Sequence, residues 1–534
     1  MEEKSVGRSF LILSVAGILV KILSAAYIPL LRAIIGTQAI GIYNASYSYF
    51  VFILAITSLG AQPAVAKVVS ELRALGHEED ALRAMKLARR YLAIIGAIIT
   101  IGFMLIINPI AKITNWESIK LSLMFLAPTV FFSCILATYR GYLQGIEEMK
   151  TLAISQVLEQ IVNVVLSLIF AFIFINISIE WGSAGGTVGT TIGAIVALIF
   201  ILIMYDRNRY EENAEEKDKS QKHISDRKIL KKLINYGVPI ILVAALQNSS
   251  GMIDTINVKG RLLFAGFTNN RSEELFGILG CYNTLLYVPL SIVTALSAAI
   301  FPKIIQAFTV KNKKELKSQI TYSFRLTYLV TIPAAVGLAM LSKEVYIMIY
   351  GSIEGYQLLM YGSIVLVLMS LSTIQNTILQ GISKLYLVLT TAFLSIVIKF
   401  VINYVLVGIK DINILGAVFA SLFAFLIPVI INHNRLRRIF KMRIPIIKLA
   451  IAPLIASCIM ALSIYLCRLP INRIMNIVQG GRLVTSLVAL LLIAIGGIVY
   501  FIVMIFIGGI KKKDLDMFSP RLFTLLPKFL RRSM

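Results

Sequence analysis

Leu143-Gln144-Gly145-Ile146 and Leu379-Gln380-Gly381-Ile382 spell the same tetrapeptide, LQGI, 236 residues apart. Each closes an apolar run, and the echoes extend further. Tyr43-Asn44 returns as Tyr282-Asn283, and Pro63 returns as Pro302, both 239 residues on. Each proline stands shortly before a lysine, Lys67 or Lys303. A dipeptide or a lone proline recurs by chance. Three echoes in one order, at nearly one spacing, describe a module written twice.

The module is a membrane one. Of 534 residues 58% are hydrophobic and only 15% charged, against about a quarter charged in soluble domains. Apolar stretches of eighteen or more residues recur along the chain, and each can cross roughly 30 Å of hydrocarbon. Fourteen spans result, near 9–35, 39–66, 91–110, 120–141, 152–177, 184–205, 233–258, 279–302, 322–341, 356–380, 384–408, 412–432, 446–467 and 483–509. The fold class is therefore an all-α polytopic membrane protein. Residues 1–205 make an N-terminal six-helix lobe, 206–232 a polar linker, and 233–432 a second six-helix lobe. Spans 13 and 14 occupy 433–510, and 511–534 form a basic tail suited to anionic lipid headgroups.

Six is an even number, so both lobes enter the membrane in the same direction. Such parallel repeats are related by an axis along the membrane normal and bind substrate between the halves. More than two-thirds of the 52 Lys and Arg residues fall on one side of the fourteen-span arrangement. The positive-inside rule then puts both termini in the cytoplasm of a cell-membrane protein.

Several functions are excluded at this level. The net charge of +25 does not indicate nucleic acid, because the basic residues sit in short connections between spans rather than on a soluble face. Lys21 in the middle of the first span argues against a cleaved signal peptide. Cys134, Cys281, Cys458 and Cys467 lack metal-ligand spacing and read as packing residues. His77, His223 and His433 lie in polar connections. No nucleotide-binding loop or hydrolytic constellation occurs, so the expectation is a non-enzyme with no cofactor and no metal. Its work must be driven by an ion gradient (Na+ or H+), the membrane potential, the substrate gradient or a partner.

The informative residues are charges where charge is costly. An ionisable side chain at the centre of a span costs at least about 2.5–3.5 kcal/mol on insertion scales and usually faces a cavity or a partner. Lys21 and Lys399 lie deep in spans 1 and 11. Glu159 and Gln160 lie about two turns into span 5, where interhelical hydrogen bonding is the plain alternative. Asp254 is in span 7 with Lys259 and Arg261 just beyond it, and Arg32 is near the end of span 1. Arg32, Lys259 and Arg261 could equally snorkel to the interface. A cavity with surplus positive charge suits an anionic cargo, since Arg and Lys partner phosphate oxygens.

The stretches YRGYLQGIEEMKTLAISQVLEQIV (139–162), LGAQPAVAKVVSELRALG (59–76) and ILQGISKLYLV (378–388) resemble the bacterial polysaccharide-export flippases. The branch is that of stage V sporulation protein B and the MurJ-type lipid II flippases. The resemblance implies the multidrug/oligosaccharidyl-lipid/polysaccharide exporter fold, two lobes in a V that open alternately to either side. It implies a cargo of undecaprenyl-pyrophosphate-linked saccharide, lipid II or a related cell-wall precursor. It also implies a lipid-tail groove at the last two helices. The chain departs from the family at Lys21, where Arg is common, and at Asn163, where Arg often follows the Glu-Gln pair. Lys399 stands 236 residues after Asn163 and is expected to supply the missing charge. Two alternatives remain: a cation-coupled multidrug exporter of the same superfamily, and a non-transporting scaffold for cell-wall synthesis.

Overall fold

In the computed structural model, which describes residues 2–210, 212, 223–442, 444–478 and 481–510, every apolar run is helical. No strand occurs among the described residues. Hydrocarbon offers no partner to backbone polar groups, and a helix satisfies its own. The first six helices are α1 (Glu2–Leu54), α2 (Ala61–Ala74), α3 (Glu78–Ile113), α4 (Lys120–Gly145), α5 (Met149–Phe174) and α6 (Ile179–Arg207). Then follow α7 (Asp226–Phe264), α8 (Asn269–Thr309), α9 (Lys313–Met340), α10 (Ser342–Tyr350), α11 (Tyr356–Gly362) and α12 (Ile364–Gly381). The last are α13 (Leu385–Leu406), α14 (Leu415–Phe440), α15 (Ile446–Val478) and α16 (Arg482–Phe506).

Among the described residues, thirteen helical runs are long and apolar enough to cross a membrane. The first, Leu19–Ala74, has 56 residues. At 1.5 Å per residue it would reach about 84 Å, far beyond one crossing. It breaks at Gly36, whose φ of 80° and ψ of 176° suit only glycine. Two crossings result, and with them the fourteen expected from sequence. Span 10 is not one helix but two, α11 and α12, parted at Ser363. The carbonyl of Gly362 at that break accepts a hydrogen bond from the Tyr282 hydroxyl at 2.9 Å.

The repeat recurs in the backbone. After α4 the amide of Glu148 donates to Leu143 O at 2.9 Å and that of Glu147 to Gln144 O at 3.3 Å. After α12 the amide of Lys384 donates to Leu379 O at 2.9 Å and that of Ser383 to Gln380 O at 3.0 Å. Both are Schellman turns, with Glu147 (φ 65°) and Ser383 (φ 59°) in the left-handed region. The LQGI glycine does not itself make the turn: the left-handed residue lies two places later. The glycine's role is close approach. A Cβ on Gly145 would sit 2.6 Å from Val69 Cγ1, and one on Gly381 would sit 2.7 Å from Phe301 Cε2 and 3.2 Å from Ile305 Cγ1. Left-handed residues also pair at Gly76 and Lys311, 235 apart, and at Asn115 and Gly351, 236 apart.

Contacts divide the chain into two units, Met1–Cys281 with Ala392–Ala417 and Tyr282–Thr391 with Val418–Met534. In the first, Val65, Val69, Leu72, Met85, Leu143 and Ile229 form a buried core where α2, α3, α4 and α7 meet. Helices α5 and α6 pack backbone to backbone through Gly185 and Gly193, whose Cβ atoms would lie 2.6 Å from Phe170 O and 2.7 Å from Glu159 O. In the second unit α15 and α16 dock beside α9 and α10. Tyr500 donates to Leu329 O at 2.9 Å, and Arg468 pairs with Glu344 at 2.6 Å.

The linker is not solvated throughout. The amide of Ile224 donates to the buried Asp80 at 2.8 Å, and Arg83 pairs with both Asp80 and Asp226. The rest of the linker, 211 and 213–222, and the basic tail 511–534 lie outside the described residues.

Gly145→Val is expected to cost about 1–3 kcal/mol by overpacking against Val69 and Ala66. Glu147→Gly, which relieves a left-handed residue, should hold or raise stability by up to about 1–2 kcal/mol. Thermal unfolding of the two variants in detergent, with opposite signs of shift, checks both.

Candidate functional site

Asp254 sits on α7, ten residues before the end of that helix at Phe264, about 15 Å into the span. Its carboxylate is answered from α13. Lys399 Nζ lies 2.6 Å from Asp254 Oδ2, and Asn403 Nδ2 donates to Asp254 Oδ1 at 2.8 Å. Lys399 also donates to Ser250 Oγ at 2.7 Å and Ser250 O at 3.2 Å, so all its donors are engaged. The i, i+4 spacing of Lys399 and Asn403 puts both on one helix face. Asp254 and Lys399 are 6% and 5% exposed, and Asn403 is fully buried.

A second ion pair lies toward the α7–α8 turn. Lys259 Nζ is 2.8 Å from Glu273 Oε1, with both residues buried. Glu273 also accepts from Ser118 Oγ at 2.6 Å and from Gln38 Nε2 at 2.9 Å. Lys259 lies 4.2 Å above the Trp116 ring, whose Nε1 donates to Thr255 O at 2.9 Å. The clamp sits in a glycine seam between α1 and the start of α8. A Cβ on Gly41 would lie 2.9 Å from Glu273 C, and one on Gly277 would lie 3.0 Å from Gly41 N. Nothing larger than glycine fits there.

A third pair joins α4 to α5. Arg140 Nη2 is 2.7 Å from Glu159 Oε2, and its Nε donates to Ser155 Oγ at 3.1 Å. Gln160 is half-buried beside it. Arg32 is buried and donates to Thr37 Oγ1 from Nε at 3.3 Å and Nη2 at 3.2 Å. Arg261 lies between two aromatic rings, Phe264 and Tyr404.

Lys21 differs from all of these. It is exposed and enters no ion pair among the described residues. Eleven residues at 100° each bring Arg32 to within about 20° of it around α1. The two cations therefore share one helix face, one answered locally and one open.

Lys399 does not stand in for the charge absent at Asn163. Its ammonium is committed to Asp254, and Asn163 Oδ1 accepts from Ser167 at 3.2 Å and Thr190 at 3.1 Å, within the α5–α6 pair. The repeat offset gives matching positions different work. Sequence reading also missed Glu273, Gln38, Trp116 and Asn403. Glu273 lies in the polar stretch TNNRSEEL (268–275), which reads as a loop, but α8 already begins at Asn269.

Helices for fourteen crossings, with charged residues held inside the spans, define a multi-pass helical membrane protein. Residues 6–308, more than half of the chain, match the model of the polysaccharide biosynthesis protein family, and the chain belongs to that family. It is 24% identical over 514 residues to the lipid II flippase MurJ of Bacillus subtilis (strain 168), covering 92% of this chain and 94% of that one. It is 22% identical over 459 residues to stage V sporulation protein B of the same organism, covering 85% and 87%. Among solved structures, the inward closed conformation of lipid II flippase MurJ superposes with a TM-score of 0.68 at 16% identity, over 92% of this chain and 98% of that one. An inward-facing multidrug resistance MATE transporter of the MOP superfamily superposes with a TM-score of 0.64 at 15% identity, over 80% and 99%. The fold is the one expected from the sequence, and the relatives named by activity are flippases and transporters rather than enzymes.

Removing one member of a buried ion pair costs about 3–5 kcal/mol, because the other is left uncompensated. Lys399→Met or Asp254→Asn alone should therefore lower the melting temperature in detergent. The Asp254→Asn/Lys399→Met double variant should recover most of that loss. A double variant no better than the worse single one would mean that the pair is not the source of the cost.

Proposed function

We propose that the chain is a flippase that carries an undecaprenyl-pyrophosphate-linked saccharide, lipid II or a close cell-wall precursor, from the cytoplasmic to the outer leaflet by alternating access. The observation that carries this reading is Lys21, an exposed cation in the middle of a membrane span with no carboxylate to answer it among the described residues. A pyrophosphate is the partner such a charge lacks. The buried carboxylates Asp254 and Glu273, and the half-buried Glu159, each already hold a Lys or Arg. A cationic drug would have to displace one of those partners, which weighs against the exporter reading. A scaffold gains nothing from a midplane lysine that it must keep solvated.

The proposed orientation has both termini in the cytoplasm. Basic clusters at Arg83, Lys86, Arg89 and Arg90 near the start of α3, and at Arg437, Arg438 and Lys441 at the end of α14, support it through the positive-inside rule. The membrane potential fits this cargo as a driving force. An anionic headgroup leaving an inside-negative cell moves with the field, by about 2.3 kcal/mol per charge per 100 mV. Asp254, the deepest carboxylate of α7, is already neutralised by Lys399. Transport is therefore expected to persist when Na+ is replaced by K+ and to fall when the potential is collapsed.

The decisive assay is lipid II exposure at the surface of cells depleted of their own flippase and expressing this chain. The parent and Lys21→Arg should restore exposure, and Lys21→Ala, inserted at parental level, should lose at least about tenfold, as a lost charge-assisted phosphate contact predicts. Rescue by Lys21→Ala would remove Lys21 from the site. Absence of rescue by a well-inserted parent would point to a different lipid-linked glycan.

A further inference from the structure

Arg261 closes α7 one turn before the helix ends at Phe264. Its guanidinium lies 4.1 Å from the Phe264 ring centroid and 4.2 Å from that of Tyr404 on α13. Those rings face outward, Phe264 being 72% and Tyr404 51% exposed. No carboxylate pairs with Arg261 among the described residues, and its Nε is buried without a hydrogen-bond partner. Gly408 makes room for it: a Cβ there would lie 2.9 Å from Arg261 Nε and 3.0 Å from Cζ. Lys410 and Asp411 follow on the same turn, both exposed and opposite in charge.

Below the guanidinium runs an apolar stripe. Phe393, Val397, Phe400, Val401 and Tyr404 are all exposed and recur at the three- and four-residue spacing of one helix face. Phe400 and Tyr404 stack, with ring planes 18° apart and centroids at 6.4 Å. The stripe ends at the arginine, at the level where a membrane helix meets the headgroups and where aromatic residues gather.

We infer that Arg261, with Phe264 and Tyr404, forms a binding site for the phosphate of an anionic membrane phospholipid in the leaflet level with the α7–α8 turn. The acyl chain of that lipid lies along the α13 stripe. The aromatic rings hold the guanidinium plane without neutralising it. Its terminal nitrogens, which are not buried and which no described residue engages, are then left to a phosphate oxygen, which the bilayer supplies at that depth. The site is separate from the inner cations that the transport reading uses, and it stands whether or not that reading holds.

The test is native mass spectrometry of the full chain released from mild detergent and titrated with phosphatidylglycerol or phosphatidylcholine. Parent protein should take its first phosphatidylglycerol at concentrations roughly tenfold below those needed for phosphatidylcholine, the scale of one charged hydrogen-bonded contact. Arg261→Gln and Gly408→Ala should abolish that preference, and Arg261→Lys should keep part of it. Unchanged melting in lipid-free detergent separates lost binding from lost fold. Equal affinity for the two lipids, or a first phosphatidylglycerol undisturbed by Arg261→Gln and Gly408→Ala, overturns the proposal. Undecaprenyl phosphate bound through Arg261 in preference to phosphatidylglycerol would overturn the assigned occupant and give the site to the carrier lipid.

Discussion

A charge in hydrocarbon must be answered, and in the first unit the answers come from distant parts of the chain. Asp254 finds Lys399 at 145 residues' remove, and Glu273 gathers Gln38, Ser118 and Lys259. Each pair can form only when particular helices lie side by side at one rotation and one depth. A buried ion pair is worth little net stability beside a well-packed apolar contact, but its mismatch is expensive. These pairs therefore specify register more than they add stability. Apolar helices in lipid lack a strong hydrophobic drive to choose between rotations, so register is what they most need.

The glycines serve the same end by a different route. At Gly41 and Gly277 they bring α1 against the start of α8 closely enough for Gln38 to reach Glu273 at 2.9 Å. At Gly145 they bring α4 onto α2, where Leu143 joins the buried core and Gln62 donates to Gln144 at 3.0 Å. Small residues permit the approach, and the polar contact fixes it. Neither would be sufficient alone.

How much of this was legible in the sequence depends on the range of the interaction. Span count follows from local hydropathy, and it was readable throughout except at Ser363, where the apolar run continues across the helix break. The repeat was readable because LQGI and its flanking residues are local turn chemistry, conserved in kind at both sites. Its detail was not: the left-handed position fell to Glu147 and Ser383, residues with no glycine-like signature. The charged residues of the spans were found because charge is rare there. Their pairings were not, because contact between α7 and α13 is a matter of helix rotation, which no spacing encodes. Trp116 and Ser118 sit on a short turn and carry no signal that they would close over Lys259.

The pairings also explain why the unanswered cations carry the functional argument. Had Lys399 remained open, as its repeat position suggested, the unit would contain two deep cations of equal claim. Asp254 removes one of them. What is left, Lys21 on α1 and Arg261 between its two rings, lies at different depths and on different helices. One is at mid-span and the other at the headgroup level. A phosphate crossing the membrane needs a partner at the first depth, whereas a resident lipid needs one at the second. The same guanidinium or ammonium chemistry thus serves cargo or bilayer according to depth alone, and depth is set by the buried pairs that hold α7 and α13 in place.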